Sequence, residues 1–306
     1  MKKTFWQYIF PLMMLTIVSN AILITSCSAS ISEVKFYDNF DKGFTESSNW
    51  IFWCACLNHE VTLKAPVIDE DADDGKVLQL IFPNSCLSQG PINGPNVESK
   101  KRFSYGTYVF RLKAAQCSRD EGVVTGFFIY WQNRIRIDRN RNGIADLAEI
   151  DFEILGAEPN ALYMSIWTDY EEGVGQRRVV RKVNISAGKV EYTRYYTEWE
   201  NWEETGGEPE GIPAISRFNS TKNYYEYGFI WTPNSVTFFI RDPETCENMM
   251  LWNYKDATHI PKTPAKIMLN VWHTDDWTPE RFPEAVSPPS KNAVLRVDWV
   301  SYSSLR

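Results

Sequence analysis

The sequence predicts an all-β fold in which short strands pack as a sandwich or close into a barrel. From residue 34 onward, runs of aromatic and β-branched residues recur, and several alternate apolar with polar residues, as strands with one buried face do. Turn clusters such as 93–96 (NGPN) and 232–235 (TPNS) separate these runs. We find no long amphipathic helical pattern and no repeat of fixed period, which favours an all-β class over a mixed one.

Eight segments are the clearest predicted strands, because each combines aromatic and β-branched residues over six to nine positions. They span 77–82, 105–113, 123–131, 161–167, 225–231, 236–241, 266–272 and 294–302. A ninth strand, 149–156, carries the acidic pattern described below. Residues 278–292 contain four prolines without periodicity and are predicted to form a loop.

The N-terminus has the pattern of an export signal. Lys2 and Lys3 precede an apolar stretch over 5–24, and Ile24-Thr25-Ser26-Cys27 follows it. This ending matches a bacterial lipobox, so we expect residues 1–27 to be a signal peptide with lipidation at Cys27. Ordinary cleavage and an uncleaved membrane anchor are the alternatives, since about 20 apolar residues can span a bilayer. All three place residues 28–306 outside the cytoplasm, with membrane contact only through the lipid or the anchor.

The charge and the cysteine content limit the partners and the redox state. With 306 residues, a net charge of -7 and a pI near 5.2, the chain is a poor partner for nucleic acid, and we expect a monomer. An exported chain can form disulfides, and five cysteines, an odd number, follow Cys27, so one thiol should stay free or pair elsewhere. They are Cys54, Cys56, Cys86, Cys117 and Cys246. The single residue between Cys54 and Cys56 does not fit a zinc site.

The most informative segment is 149–156, EIDFEILG. On a strand, alternate residues share a face, so Glu149, Asp151 and Glu153 should lie together on one side. Their mutual repulsion should raise at least one pKa, as a general acid requires. Glycosidases use a pair of carboxyl groups for catalysis. The alternative is an edge strand with outward-facing charges, which would show the same spacing.

This segment resembles the active-site signature of glycoside hydrolase family 16, E-hydrophobic-D-x-E followed by a hydrophobic pair and glycine. The resemblance extends, in the same order, through 103–115 (FSYGTYVFRLKAA), 123–130 (VVTGFFIY), 224–240 (YYEYGFIWTPNSVTFFI), 266–277 (KIMLNVWHTDDW) and 297–302 (VDWVSY). It covers most of residues 36–303. Glu98 stands where many members of the family have arginine, and this departure leaves the substrate open.

The resemblance implies a concanavalin-like β-jelly roll of two antiparallel sheets with a sugar cleft on its concave face. It implies Glu149 as nucleophile, Glu153 as acid/base and Asp151 as the residue that orients the nucleophile and tunes both. Residues that match positions lining the cleft in the family are Trp131, Asn270, Trp272 and Trp277. A family disulfide between the first strands has its counterpart in Cys86 paired with Cys54 or Cys56.

The function implied is that of a retaining endo-β-glucanase acting on a β-1,3/1,4-linked glucan, a polysaccharide. A transglycosylase acting on xyloglucan or a related β-glucan would use the same residues with a sugar as acceptor. A non-catalytic glycan-binding sandwich is the alternative from another class, and it predicts the loss of a catalytic carboxylate. The stretch 187–218, which is rich in glutamate and aromatic residues, is expected to be a solvated acidic loop or else a lid or sugar-stacking flap.

Residues 138–149 match the calcium-loop pattern D-x-[DN]-x-[DN]-G-x5-E. The twelfth position is Glu149, and a carboxylate bound to calcium cannot also attack an anomeric carbon. We therefore predict a structural calcium without Glu149, and the alternative is a polar turn without metal. The predicted ligands are Asp138, Asn140, Asn142, the Ile144 carbonyl and Asp146. The family also holds calcium on its convex side, where Asp298 is a separate candidate. No cofactor is expected for catalysis.

Overall fold

Two antiparallel β-sheets form the protein, as the sequence predicts. The computed structural model describes residues 34–44, 48–54, 62–132, 146–171, 175–196, 202–274 and 287–305. The eight-stranded sheet has the spatial order β15 (Asn248–Lys255), β14 (Ser235–Arg241), β13 (Tyr225–Trp231), β6 (Gly106–Lys113), β17 (Ala293–Ser304), β4 (Lys76–Phe82) and β3 (Leu63–Ile68), and β1 (Val34–Asp38) also pairs with β17.

The nine-stranded sheet carries the acidic segment. Its spatial order is β12 (Trp202–Glu204), β11 (Lys189–Tyr196), β10 (Gly175–Asn184), β9 (Ala161–Glu171), β8 (Leu147–Leu155), β7 (Val123–Gln132), β16 (Ala265–His273), β5 (Asn96–Phe103) and β2 (Trp50–Trp53). A short 3-10 helix, Pro91–Asn93, precedes β5. The acidic strand β8 is therefore the fifth of nine and is hydrogen-bonded on both sides.

The hydrophobic core lies between the two sheets and is rich in aromatic rings. Phe127 of β7 stacks on Phe152 of β8 with ring centroids 5.1 Å apart, and Tyr227 of β13 lies 5.1 Å from Phe127. Ile150, Phe152 and Ile154 are fully buried in this core. Because side chains alternate along a strand, burial of these three turns the acidic residues of β8 to the other face of the sheet.

The predicted class, a β-jelly-roll sandwich of two antiparallel sheets, is confirmed. Among the predicted strands, 225–231 has the bounds of β13, and the others differ from the observed strands by a few residues at one or both ends. The expectation of a loop over 187–218 is wrong for part of that stretch. Residues 189–196 form β11, and β12 pairs with it, so the segment extends the nine-stranded sheet at its edge.

The structure excludes one of the two expected disulfide partners of Cys86. Cys86 is disulfide-bonded, whereas Cys54 is present as a buried thiol, so the pair Cys54–Cys86 is wrong. The alternative partner, Cys56, lies outside the described residues, and its pairing with Cys86 stays a prediction. Cys117 is also a thiol, and burial raises its pKa to about 12.

The N-terminal signal and the lipidation site Cys27 lie outside the described residues, so those expectations remain predictions. Within the residues that the structure describes, no helix is both long and apolar enough to cross a membrane.

Candidate active site

Strand register sorts the side chains around Glu149, Asp151 and Glu153 into rows that run across the nine-stranded sheet. We call the side of the sheet that holds these residues the carboxylate face. The Glu149 row contains Lys266, Tyr130, Glu149, Trp167, Arg178, Tyr196 and Trp202. The Asp151 row contains Met268, Phe128, Asp151, Ser165, Val180, Arg194 and Glu204. The Glu153 row contains Asn270, Gly126, Glu153, Tyr163, Lys182 and Tyr192.

The three carboxylates differ in how they are held. Asp151 is 4% exposed, and the Ser165 hydroxyl on β9 donates a hydrogen bond of 2.5 Å to its Oδ2. Glu149 and Glu153, on either side of it, are half-buried. Their Cα atoms are about 13 Å apart along the strand, so the two side chains have to lean toward each other to act on one bond. The arrangement matches two reacting groups with a fixed carboxylate between them.

Burial raises the pKa of all three carboxyl groups, and repulsion from Glu153 adds to the effect at Glu149. Burial is the larger cause, and it raises the pKa of Glu149 to about 8 and that of Glu153 to about 7. Burial also raises the pKa of Asp151 well above its ordinary value, and repulsion from the two glutamates adds to this effect. Because the groups interact strongly, they titrate as one cluster, so these values do not by themselves select the proton donor. A cluster that retains protons near neutral pH suits general acid catalysis.

Asn270, which is predicted to line the cleft, lies beside the carboxylates. It is 2% exposed, and it shares the Glu153 row with Gly126 between them. A Cβ atom at position 126 would lie 2.3 Å from Asn270 Oδ1, so the amide group occupies the space that the glycine leaves open. Asn270 Oδ1 is buried and has no hydrogen-bond partner among the described residues. The amide thus lies beside Glu153 below the surface of the carboxylate face, and its contact with substrate stays a prediction.

The predicted tryptophans have different positions. Trp272 pairs with Val124 on the carboxylate face and packs with Tyr163 in a small hydrophobic cluster. Trp131 pairs with Ala148, which puts it on the opposite face from Glu149, and its ring packs against the main core. The register therefore corrects the expectation that Trp131 lines the cleft, and Tyr130 is the β7 aromatic residue beside Glu149. Trp277 lies outside the described residues.

Several residues of the carboxylate face were not predicted from the sequence. Ser165 holds Asp151, Trp167 lies next to Glu149, and Arg178 lies next to Trp167. The sequence places Ser165 and Trp167 at alternate positions of a predicted strand, so it indicates that they share a face. Only the register with β8 shows that this is the carboxylate face. Arg178 lies on β10, which the sequence reading did not identify as a strand.

The structure describes one of the five predicted calcium ligands, Asp146, which is buried. The other four lie outside the described residues, so the loop remains a prediction. Among the described residues, no group of three or more His, Cys, Asp or Glu side chains is arranged to hold a metal ion. Asp298, the separate candidate, is fully buried, pairs with the guanidinium of Arg111, and accepts the Asp73 N–H at 3.0 Å. Its other carboxylate oxygen, Oδ1, is buried without a hydrogen-bond partner among the described residues, and calcium at Asp298 stays a prediction.

Comparisons with known sequences give one consistent family. The family model described as "Glycosyl hydrolases family 16" matches residues 58–205 and 202–286. A "Beta-glucanase" of Acetivibrio thermocellus is 24% identical over 80% of this chain and 56% of its own length. A "Probable xyloglucan endotransglucosylase/hydrolase protein 8" of Arabidopsis thaliana is 22% identical over 84% of this chain and 62% of its own length. The chain thus spans less than two thirds of these relatives.

Solved structures agree with the fold. A "beta-1,3-1,4-glucanase (lichenase) derived from a mouse hindgut metagenome" matches with a TM-score of 0.54 at 22% identity, over 88% of this chain and 99% of that one. The laminarinase from Flavobacterium sp. UMI-01 matches with a TM-score of 0.54 at 14% identity, over 89% of this chain and 100% of that one. These likenesses concern the sandwich. The family model, which covers well over half of the sequence and includes the carboxylate strand, shows that the chain belongs to glycosyl hydrolases family 16.

Proposed function

We propose that the protein is a retaining, endo-acting glycoside hydrolase that cleaves a β-1,3/1,4-linked glucan by double displacement. The observation that carries the proposal is the placement of Glu149 and Glu153 on one face of β8, half-buried, with Asp151 fixed between them. The relatives named as β-glucanases support the substrate class. The described surroundings include aromatic residues on the same face, and aromatic rings can stack on sugars.

In the proposed reaction, a carboxylate oxygen of Glu149 attacks the anomeric carbon while the glycosidic C–O bond breaks. Glu153 donates its proton to the departing oxygen, which leaves a covalent glycosyl-enzyme and a free sugar chain. Glu153, now ionised, takes a proton from water, whose oxygen attacks the same carbon and releases Glu149. The Ser165 hydroxyl fixes Asp151, which lies between the two glutamates and orients the nucleophile.

The test is product analysis with matched variants. The protein is incubated with lichenan, laminarin, xyloglucan and agarose, and the products are sized. Glu149→Gln and Glu153→Gln should each lower turnover by about 10²–10⁴-fold, because each removes a group that acts in the transition state. Glu204→Gln is the control, since Glu204 is an exposed carboxylate at the sheet edge. Added azide should partly restore Glu149→Ala by replacing the nucleophile.

Wild-type rates in either glutamine variant would contradict the assignment of the two glutamates. If the wild type binds these glucans but releases no product from any of them, the proposal fails in favour of a glycan-binding sandwich.

A transglycosylase is the second candidate, and the relatives named xyloglucan endotransglucosylase/hydrolase favour it. In that reaction a sugar hydroxyl replaces water as the acceptor in the second step, and the same three carboxylates serve. Products longer than the starting oligosaccharide, formed when a labelled xyloglucan fragment is added, would identify this activity. Only shorter products would identify the hydrolase.

We also propose that the protein is an exported lipoprotein anchored through Cys27, and this proposal rests on the N-terminal pattern alone. Expression of the full chain in a bacterial host, followed by mass spectrometry of the mature N-terminus, tests the lipid anchor. Lipid on Cys27 is the expected result, and a mature chain that starts elsewhere without lipid would contradict it.

A further inference from the structure

Arg178 has an unusual environment on the carboxylate face. Its guanidinium lies between two aromatic rings, 4.7 Å from the centroid of Trp167 and 5.1 Å from that of Tyr196. Its Nε is buried without a hydrogen-bond partner, and within the described ranges no carboxylate forms an ion pair with it. Stacking uses the faces of the guanidinium, so the two rings fix the position of the positive charge without neutralising it.

The other cations of the three rows are neutralised by nearby carboxylates. Lys182, in the Glu153 row, lies 3.0 Å from both Glu158 and Glu191. In the same way, Arg194 lies 3.0 Å from Glu204, and Lys266 pairs with Glu98. Arg178 alone among these four has no such partner in the described part of the chain. A partly buried cation is unfavourable without negative charge to balance it, so the negative charge that balances Arg178 has to come from groups farther away.

The nearest such charges in its row belong to the carboxylate cluster. Arg178 is in register with Trp167, and Trp167 is in register with Glu149, so two strand spacings separate Arg178 from Glu149. Two spacings are about 10 Å. At that separation and an effective dielectric constant of about 20, one unit charge changes the pKa of another group by about one unit.

We propose that Arg178 is a positioning residue that supplies a counter-charge shared by the carboxylate cluster and so favours the ionised form of the nucleophile. The inference rests on the proposed function, in which Glu149 attacks and Glu153 donates a proton. The rows show which cation is available for this role. Of the two cations in the Glu149 row, Lys266 is paired with Glu98 and Arg178 is paired with no carboxylate among the described residues. The cation in the Glu153 row, Lys182, is paired with two carboxylates.

Several titratable and charged groups face the cluster from the neighbouring strands. They are Tyr130 of β7, Tyr163 of β9, Arg178 and Lys182 of β10, Tyr192, Arg194 and Tyr196 of β11, Glu204 of β12, Lys266 of β16, and Glu98 and the exposed Arg102 of β5. Of these, Arg178 is the group whose charge lowers the pKa of Glu149, Asp151 and Glu153 together. This common effect agrees with a counter-charge shared by the cluster.

The experiment compares Arg178→Gln, Arg178→Lys and the control Arg194→Gln in two measurements. The first needs no substrate: carboxyl ¹³C NMR follows the titration of Glu149 and Glu153 in each protein. We expect Arg178→Gln to move the titration of the cluster upward by about one pH unit. Arg178→Lys, which retains the charge, should stay near the wild type. Arg194→Gln should also stay there, because Arg194 is clamped between Tyr192 and Trp202 in the same manner but is paired with Glu204.

The second measurement is the pH profile of kcat/KM on the best glucan substrate. Both limbs of the profile should move upward by about one pH unit in Arg178→Gln, because removal of the cation makes both glutamates harder to ionise. Below the acidic limb, activity should fall by about 10-fold. An unchanged titration would overturn the proposal, and an unchanged profile with a raised KM would assign Arg178 to direct substrate binding instead.

If Arg178→Gln does not fold, Arg178→Lys provides the test. A titration of the cluster that moves by about one pH unit in this variant, although the positive charge is retained, would contradict the proposal. The NMR titration keeps this test separate from the proposed function. A protein that hydrolyses no glucan but shows the expected titration shift would refute the function and retain the counter-charge role.

Discussion

The carboxylate cluster should make the folded protein less stable as the pH rises, and Glu153→Gln tests this. Burial raises the pKa of Glu153 from 4.5 to about 7 in the folded chain. Between these two values the folded state binds more protons than the unfolded state, so stability is lost as the pH rises through that window. A glutamine carries no charge at any pH and avoids this loss.

The structure gives the size of the effect. One pKa unit corresponds to about 1.4 kcal/mol, so the rise from 4.5 to about 7 corresponds to about 3 kcal/mol above pH 7. Water screens part of the charge because Glu153 is half-buried, and we expect the variant to gain about 1–3 kcal/mol at pH 8. For a domain of this size, that gain raises the Tm by about 3–9 °C. At pH 4 both states hold the proton, and the gain should vanish.

The assay is thermal unfolding by calorimetry or circular dichroism at pH 4, 6 and 8. Glu204→Gln is the control, since it removes an exposed carboxylate that pairs with Arg194, and such pairs contribute about 0–1 kcal/mol. Glu153→Gln should therefore be more stable than the wild type at pH 8 while losing turnover. A Tm change that is the same at pH 4 and pH 8, or a lower Tm at pH 8, would refute the reasoning.

Two further predictions concern the disulfide and the calcium loop. Cys86→Ser should lower the free energy of unfolding, measured in urea, by about 2–5 kcal/mol, because it removes the disulfide. Cys54→Ser should keep the disulfide, because Cys54 is a thiol. Peptide mapping without reduction that finds Cys86 as a thiol in the wild type would contradict both expectations. Calcium should raise the Tm of the wild type and of Glu149→Gln but not of Asp138→Ala. Calorimetry that detects no calcium binding to the wild type, or strong loss of binding in Glu149→Gln, would contradict this loop assignment.

Much of the fold could be predicted because its core strands have strong local signals. Residues 225–231 combine aromatic and β-branched side chains, and the structure has a strand with those bounds. By contrast, β10 has the sequence GQRRVVRKVN, whose arginines and lysines suggest a solvated segment. Arg178 of this strand contacts the rings of Trp167 and Tyr196, and Lys182 pairs with two glutamates from other segments of the chain. None of these contacts can be read from neighbouring positions in the sequence.

The site was predictable to the extent that it lies on one strand. Alternation alone placed Glu149, Asp151 and Glu153 on one face, since all three belong to β8. The choice between Tyr130 and Trp131 depends on how β7 pairs with β8, and a slip of one residue exchanges the two faces. Likewise, positions 54 and 56 are two residues apart, so strand geometry does not select which cysteine reaches Cys86.

The central position of β8 has a consequence for motion. With four strands on either side, its backbone amides are the farthest in the nine-stranded sheet from an open edge. Local opening begins where backbone hydrogen bonds are exposed, so β2 and β12 should fray often while β8 opens only with the whole domain. Amide hydrogens on β8 should then exchange at the rate set by global unfolding. The two glutamates would keep their spacing through fluctuations that repeatedly loosen the rim of the sheet.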